Sequence, residues 1–281
     1  MTTADRHFID AHVHIWEPPT AEFPLAEGFS AGDMNPSSFT PEELFAHAHP
    51  CGVDRIVLIQ MTYYGFDQSY MLRAIREHPG VFSGVAEIDV EAANPDEEMR
   101  RLKPQGVRGF RLTAHGRDPE AWFAGEGMQA MWHCGGEEGL VMGMLVNPEI
   151  LPAVDRMCEQ FPDTPVVIDH LARIGVGGVI RDEDVAKLCN LARHKQVKVK
   201  VSAFYALGAA APPYRDLAPL IQRVYDAYGP QRLMWASDCP FQVDPGHNYR
   251  DAVELVQTGL DFLSDEDRDW ILRRTAEQTF F

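Results

Sequence analysis

The sequence lacks any paired spacing of cysteines: Cys51, Cys134, Cys158, Cys189 and Cys239 are odd in number, scattered and never form a CxxC pair. That excludes a cysteine-rich zinc site and a disulfide framework, and we expect reduced thiols in a cytoplasmic protein. Long apolar runs are also missing. No stretch reaches the ~18 apolar residues of a membrane span, and residues 1–6 lead into the first strand without an export segment. Basic residues are scarce, 25 against 42 acidic ones, for a formal net charge of -17. Such a surface repels nucleic acid and anionic membranes, so neither is expected as a partner, and an anionic substrate needs locally placed arginines. There is no glycine-rich phosphate loop after the first strand, which weakens a dinucleotide-binding alternative. With no serine-rich linker or composition shift, residues 1–281 read as one domain.

What is present is a repeated pattern. Short β-rich apolar runs at residues 8–14, 55–60, 82–88, 107–112, 140–146, 166–169, 197–202 and 233–236 alternate with helical stretches. The helical stretches fall near 41–49, 69–78, 95–103, 119–138, 148–160, 182–194 and 213–228, with two more near 249–260 and 264–275. Alternating βα units predict parallel strands, and eight of them predict a closed α/β barrel, the (β/α)8 TIM barrel, over an open sheet. Thr40-Pro41-Glu42-Glu43 reads as an N-cap followed by proline at the first helical position. The loop at 17–40 is long enough to be a lid or a wall of a site.

In such a barrel the active site lies at the C-terminal ends of the strands. Strand one ends in His12-Val13-His14, an i, i+2 pair that leaves a strand on one face and can reach one ion. Alone, the pair is equally compatible with two imidazoles stacked on a polar loop. Strand six ends in Asp169-His170, where the parity of Val166 and Ile168, taken as inward, also aims His170 inward. Strand eight delivers Asp238. Taken singly, His170 could be a core histidine and Asp238 a turn cap before Pro240. Together His12, His14, His170 and Asp238 form an N3O set suited to one divalent ion, zinc foremost.

Other inward candidates come from strand parity. Packing Phe110 and Leu112 outward turns Arg111 into the mouth, where a guanidinium can hold a substrate carboxylate; Arg108 reads as a surface ion pair. Val197, Val199 and Val201 facing the helices turn Lys198, Lys200 and Ser202 inward, with Asp10 the expected structural partner of Lys200. Gln60 and Tyr63, near Tyr64 and Phe66, are substrate-binding candidates, with packing against the long loop as the alternative. His115 follows strand four closely enough to be an outside candidate, His133 is less clear, and His47, His49, His78, His194 and His247 read as helix or helix-end residues.

Asp10-Ala11-His12-Val13-His14-Ile15-Trp16, residues 106–112, 167–172 and 199–202, and Trp235-Ala236-Ser237-Asp238-Cys239-Pro240 resemble the amidohydrolase superfamily. More narrowly they resemble its amidohydrolase-2 branch of 2-pyrone-4,6-dicarboxylate lactonases and related lactone hydrolases. The resemblance spans nearly the whole chain. It implies a (β/α)8 barrel in which His12, His14, His170 and Asp238 surround the reacting water. It also implies at most one metal, because strand five ends in Leu145-Val146-Asn147 and strand four in Arg111-Leu112, so the second histidine and bridging group of binuclear members are missing. The expected activity is hydrolysis of a small carboxylated lactone. Metal-dependent non-oxidative decarboxylation of an aromatic or unsaturated acid is the alternative, and a catalytically silent binding barrel is the alternative of another class. The sequence leaves oligomeric state open, a homo-oligomer included.

Overall fold

A computed structural model describes residues 7–114 and 116–281, so His115 lies outside the described residues. Eight strands form one parallel sheet in sequential order: β1 (Phe8–Val13), β2 (Val53–Ile59), β3 (Phe82–Ala86), β4 (Val107–Thr113), β5 (Val141–Leu145), β6 (Val166–Ile168), β7 (Val197–Val201) and β8 (Leu233–Trp235). The sheet meets itself just beyond the last strand. Val13 and Cys239 form a parallel bridge, His14 N–H donates to Cys239 O (2.8 Å) and Asp238 N–H donates to His12 O (2.9 Å). The barrel therefore comes together at the backbone of three of the four predicted site residues.

The helices follow the predicted alternation, with corrections. The helix α1 (Pro41–Ala48) begins on the predicted cap, as Thr40 Oγ1 accepts from Glu43 N–H and the Glu43 carboxylate accepts from Thr40 N–H. Next come α2 (Ser69–Glu77) and α3 (Pro95–Leu102). The stretch expected as one helix over 119–138 is two, α4 (Pro119–Ala124) and α5 (Glu126–Glu138), broken at Gly125, which leaves the helical region at ψ 138°. There follow α6 (Leu151–Gln160), α7 (Asp182–Asn190) and α8 (Ala218–Tyr228), so residues 213–217 are not α-helical. Beyond α9 (Tyr249–Glu254) and α10 (Asp265–Asp269), helical structure continues through a π turn, Trp270–Arg274, into α11 (Thr275–Phe280), past the predicted end at 275. That extension has a purpose in the core: Ala276 and Phe280 close the barrel floor against Ile9, Val57, Val167 and Met234.

Strand parity behaves as predicted on β4 and β7. Phe110, Leu112, Val197, Val199 and Val201 pack outward with the helices. It fails on β6, where Val166 and Ile168 are the outward pair and Val167 the inward one. On β1 the register with β2 breaks between Asp10 and Val13, so Asp10 and His12 do not share surroundings despite their i, i+2 spacing. No helix among the described residues is long and apolar enough to cross a membrane.

Candidate active site

The four predicted residues converge at the C-terminal rim. His12 Nε2 lies 3.2 Å from His14 Nε2 and 3.4 Å from Asp238 Oδ1; His14 Nε2 lies 3.5 Å from the same oxygen. His170 Nε2 stands 3.7 Å from Asp238 Oδ2. All four side chains are buried.

How His170 reaches this cluster is the correction to the parity argument. Residues 170–173 run through four consecutive left-handed conformations, with φ between 52° and 58°, and this turn swings the imidazole back over the barrel. Asp238 (φ 67°) and Ala203 (φ 57°) are left-handed as well. Six non-glycine residues in a costly backbone region, all just beyond strand ends, are held there by the packing around them.

Each ring is oriented from behind. His14 Nδ1 sits 3.0 Å from the carbonyl of Ile59 and must donate to it, which leaves the Nε2 lone pair facing the cavity. His170 Nδ1 is 2.9 Å from Ser202 Oγ. Behind His12 lies a buried ion pair, Lys200 Nζ to Asp169 Oδ1 at 2.9 Å, with Nζ 3.1 Å and Oδ1 3.5 Å from His12 Nδ1. His12 can accept from the ammonium, turning an Nε2–H toward Asp238, or donate to Asp169 and free Nε2. The partner expected for Lys200 was Asp10, and the structure places that carboxylate elsewhere. It accepts from Tyr249 O–H (2.7 Å), Ser237 N–H (2.9 Å) and His12 N–H (3.1 Å), tying β1 to β8 and α9.

Burial holds His12, His14 and His170 below the ordinary histidine value, most strongly for His12, where Lys200 adds to it. The rings are therefore neutral at pH 7, with lone pairs available. For Asp238 burial works upward, but the surrounding imidazoles, His170 foremost, and the hydrogen bond with His14 outweigh it and hold the carboxyl below the usual range.

The donor set passes a simple test for a metal. Bonds of about 2.0–2.1 Å in a tetrahedral site place ligand atoms roughly 3.3 Å apart. The His12, His14 and Asp238 separations of 3.2, 3.4 and 3.5 Å match, and the three atoms form one candidate group. A second candidate group, His12, Asp169 and His170, overlaps it. In that second group Asp169 is already engaged by Lys200, so the first fits better.

A cavity of about 430 Å³ opens over these residues, lined by His14, His170 and Asp238 with Arg111, Glu87, Thr113, Arg173, Tyr205 and Phe241 among others. Arg111 is where the sequence reading put it, and its Nε–H is buried without a partner. Gln60 is not in the cavity wall: its amide donates to Gly65 O (3.2 Å) and Asp67 O (2.7 Å) and holds a loop. Tyr63 likewise donates to Asp33 O (3.0 Å) and stands edge-on to Trp16. Arg108 is not ion-paired among the described residues; it donates to the carbonyls of Lys103 and Val107. The long loop over 17–40 packs as a wall on Trp16, bridged through Phe39, and supplies no lining residue.

Most of the lining was not anticipated from the sequence, and three such residues carry charge or contact Asp238. Tyr205 O–H donates to Asp238 Oδ2 at 2.7 Å, Glu87 stands beside Arg111, and Arg173 sits at the end of the left-handed turn. Tyr205 and Arg173 lie on loops, where no periodicity reports direction. Glu87 carried a signal, since it follows β3 in the parity of Val85.

A parallel barrel gathers two strand-one histidines, a strand-six histidine and a strand-eight aspartate at its rim, a buried donor set that could hold a metal ion. The chain belongs to the amidohydrolase family, whose model, described as Amidohydrolase, matches residues 9–281. It is similar to a 2-pyrone-4,6-dicarboxylate hydrolase of Comamonas testosteroni, 29% identical over 83% of this chain and 76% of that protein. An L-fucono-1,5-lactonase of Burkholderia ambifaria is 25% identical over 85% of this chain and 82% of its own. Among solved structures, one named probable 2-pyrone-4,6-dicarboxylic acid hydrolase, from Acinetobacter baumannii with citric acid bound, superposes with a TM-score of 0.82 at 26% identity, covering 98% of this chain and 99% of that one.

Proposed function

We propose that this protein hydrolyses a small lactone bearing a carboxylate. The observation that carries the reading is the placement of Asp238, ringed by three imidazoles, in the wall of the same cavity as the half-buried Arg111. Water beside Asp238 gives its proton to the carboxylate as it attacks the ring carbonyl. The carbonyl oxygen gathers negative charge, and the proton then passes from Asp238 to the oxygen leaving the opened ring. Tyr205 keeps Oδ2 occupied through its hydrogen bond, so in the metal-free site Oδ1, between His12 and His14, is the oxygen left to face the water. Arg111 binds the remote carboxylate and spends that attraction on orientation. His12, His14 and Asp238 would hold one zinc ion, with His170 beside them. Bound there, the ion supplies Lewis-acid polarisation of the carbonyl and a lower water pKa.

The relatives support the reaction class: two carry the names of lactone-opening enzymes, and citric acid, a carboxylate ligand, is bound in the Acinetobacter structure. Incubation with a panel of carboxylated lactones is expected to yield ring-opened hydroxy acids, seen by mass spectrometry as a gain of one water. Release of carbon dioxide from carboxylated aromatics with no lactone turnover would replace this reading with the decarboxylase one, and silence on both panels would favour a binding barrel. Metal analysis of the purified protein is expected to give about one zinc per chain, falling in His14→Ala; a stoichiometry near two would contradict the mononuclear assignment.

A further inference from the structure

The β3–β4 register pairs Val85 with Gly109 and Ala86 with Phe110, so the next rung sets Glu87 beside Arg111, roughly 4.8 Å apart along the hydrogen-bonding direction. On the other side Arg111 pairs with Gly143 of β5, which offers no side chain. Both Glu87 and Arg111 line the cavity. Neither engages the other: among the described residues no ion pair within 4.0 Å joins them, Glu87 Oε2 is buried without a partner and so is Arg111 Nε. The main chain at this point is anchored, since Gln68 Nε2 donates to Glu87 O. A carboxylate and a guanidinium thus stand side by side on one wall, both residues half-buried, both lining the cavity and neither paired with the other, so that the remaining polar atoms of each can meet a ligand.

We propose that Glu87 is a specificity-determining residue that accepts a hydrogen bond from a substrate hydroxyl adjacent to the carboxylate held by Arg111. The ligand class this selects is a hydroxylated carboxy-lactone, the lactone of a polyhydroxy diacid. A second carboxylate at the same place would face Glu87 directly, and like charge in a desolvated site rejects it. Burial raises the Glu87 carboxyl, and the Arg111 guanidinium beside it opposes the rise and favours the carboxylate form that accepts from a hydroxyl. The inference rests on the lactonase reading and on Arg111 as the carboxylate anchor.

The test compares two γ-lactones that both carry a carboxylate, D-glucaro-1,4-lactone with its hydroxyls and 5-oxotetrahydrofuran-2-carboxylate without them. Wild-type protein is expected to favour the first in kcat/KM. In Glu87→Leu the ratio of the two is expected to collapse by about 10–150-fold, the worth of one charge-assisted hydrogen bond, and Glu87→Gln, which keeps an acceptor oxygen, recovers part of it. Arg111→Met lowers kcat/KM for both lactones together, which separates anchor from selector. Equal losses on both lactones in Glu87→Leu, or an unchanged ratio, would overturn the proposal. Calorimetric Kd values for the same two molecules ask the same question when neither is hydrolysed. A wild-type preference in Kd that Glu87→Leu abolishes upholds Glu87 and refutes only the hydrolase reading; equal wild-type Kd values overturn the role of Glu87.

Discussion

Replacement of Asp238 by Asn is expected to lower kcat by about 10²–10⁴-fold, the range for a lost general acid–base group, with the barrel still folded. The amide has nearly the shape of the carboxylate but can neither take the proton from water nor return it to the leaving oxygen. It also removes the one anion among His12, His14 and His170 in the metal-compatible cluster. The backbone role survives, because the Asp238 N–H to His12 O bond does not involve the side chain. Steady-state kinetics on whichever lactone the wild type opens, alongside circular dichroism and thermal unfolding, decide the matter. Near-normal turnover in a folded Asp238→Asn protein would remove Asp238 from the chemistry and the proposed mechanism with it.

The largest expected effect on stability is at Lys200. Its ammonium and the Asp169 carboxylate are each 2% exposed at the side chain and 2.9 Å apart, under the ring of His12 and over the floor closed by Phe280. Burial works to raise Asp169, and Lys200 first among its neighbours holds it well below the usual carboxylate value. Lys200→Met keeps the length of the side chain and strands that carboxylate in the core, an expected loss of about 3–5 kcal/mol. Urea midpoints at constant slope measure it. The double variant Asp169→Leu, Lys200→Met is expected to regain most of the loss, because no charge is then left unpaired. A single-variant loss below about 1 kcal/mol would show that water reaches the pair and that it does not hold the strand ends in place.

Much of this site was legible before any coordinates. The βα alternation specified the barrel, the barrel specified which strand ends form a rim, and chemistry at those ends singled out His12, His14, His170, Asp238 and Arg111. His170 does stand at the rim, but strand parity was the wrong reason to expect it there, because parity cannot see four left-handed residues in succession. The Lys200–Asp10 expectation failed for a related reason. A register break on β1 changed what Asp10 faces, and a break of that kind leaves no mark in the apolar pattern. Gln60 and Tyr63 were singled out for polar tips near a strand end, but whether such tips serve a ligand or a loop depends on carbonyls brought in from residues 33, 65 and 67.

Local side-chain alternation and the residue types at the strand ends were enough to specify the barrel, its family and the residues gathered at its rim, because alternation is a property of neighbouring residues and few residue types can ligate a metal or move a proton. Only the tertiary structure decided which groups stand behind and beside them. The Asp169–Lys200 support of His12, the Tyr205 hold on Asp238 and the placement of Glu87 beside Arg111 all bring together segments from different strands or loops. Contacts of that kind are set by register, backbone handedness and closure of the barrel, quantities that exist only when the whole chain is folded.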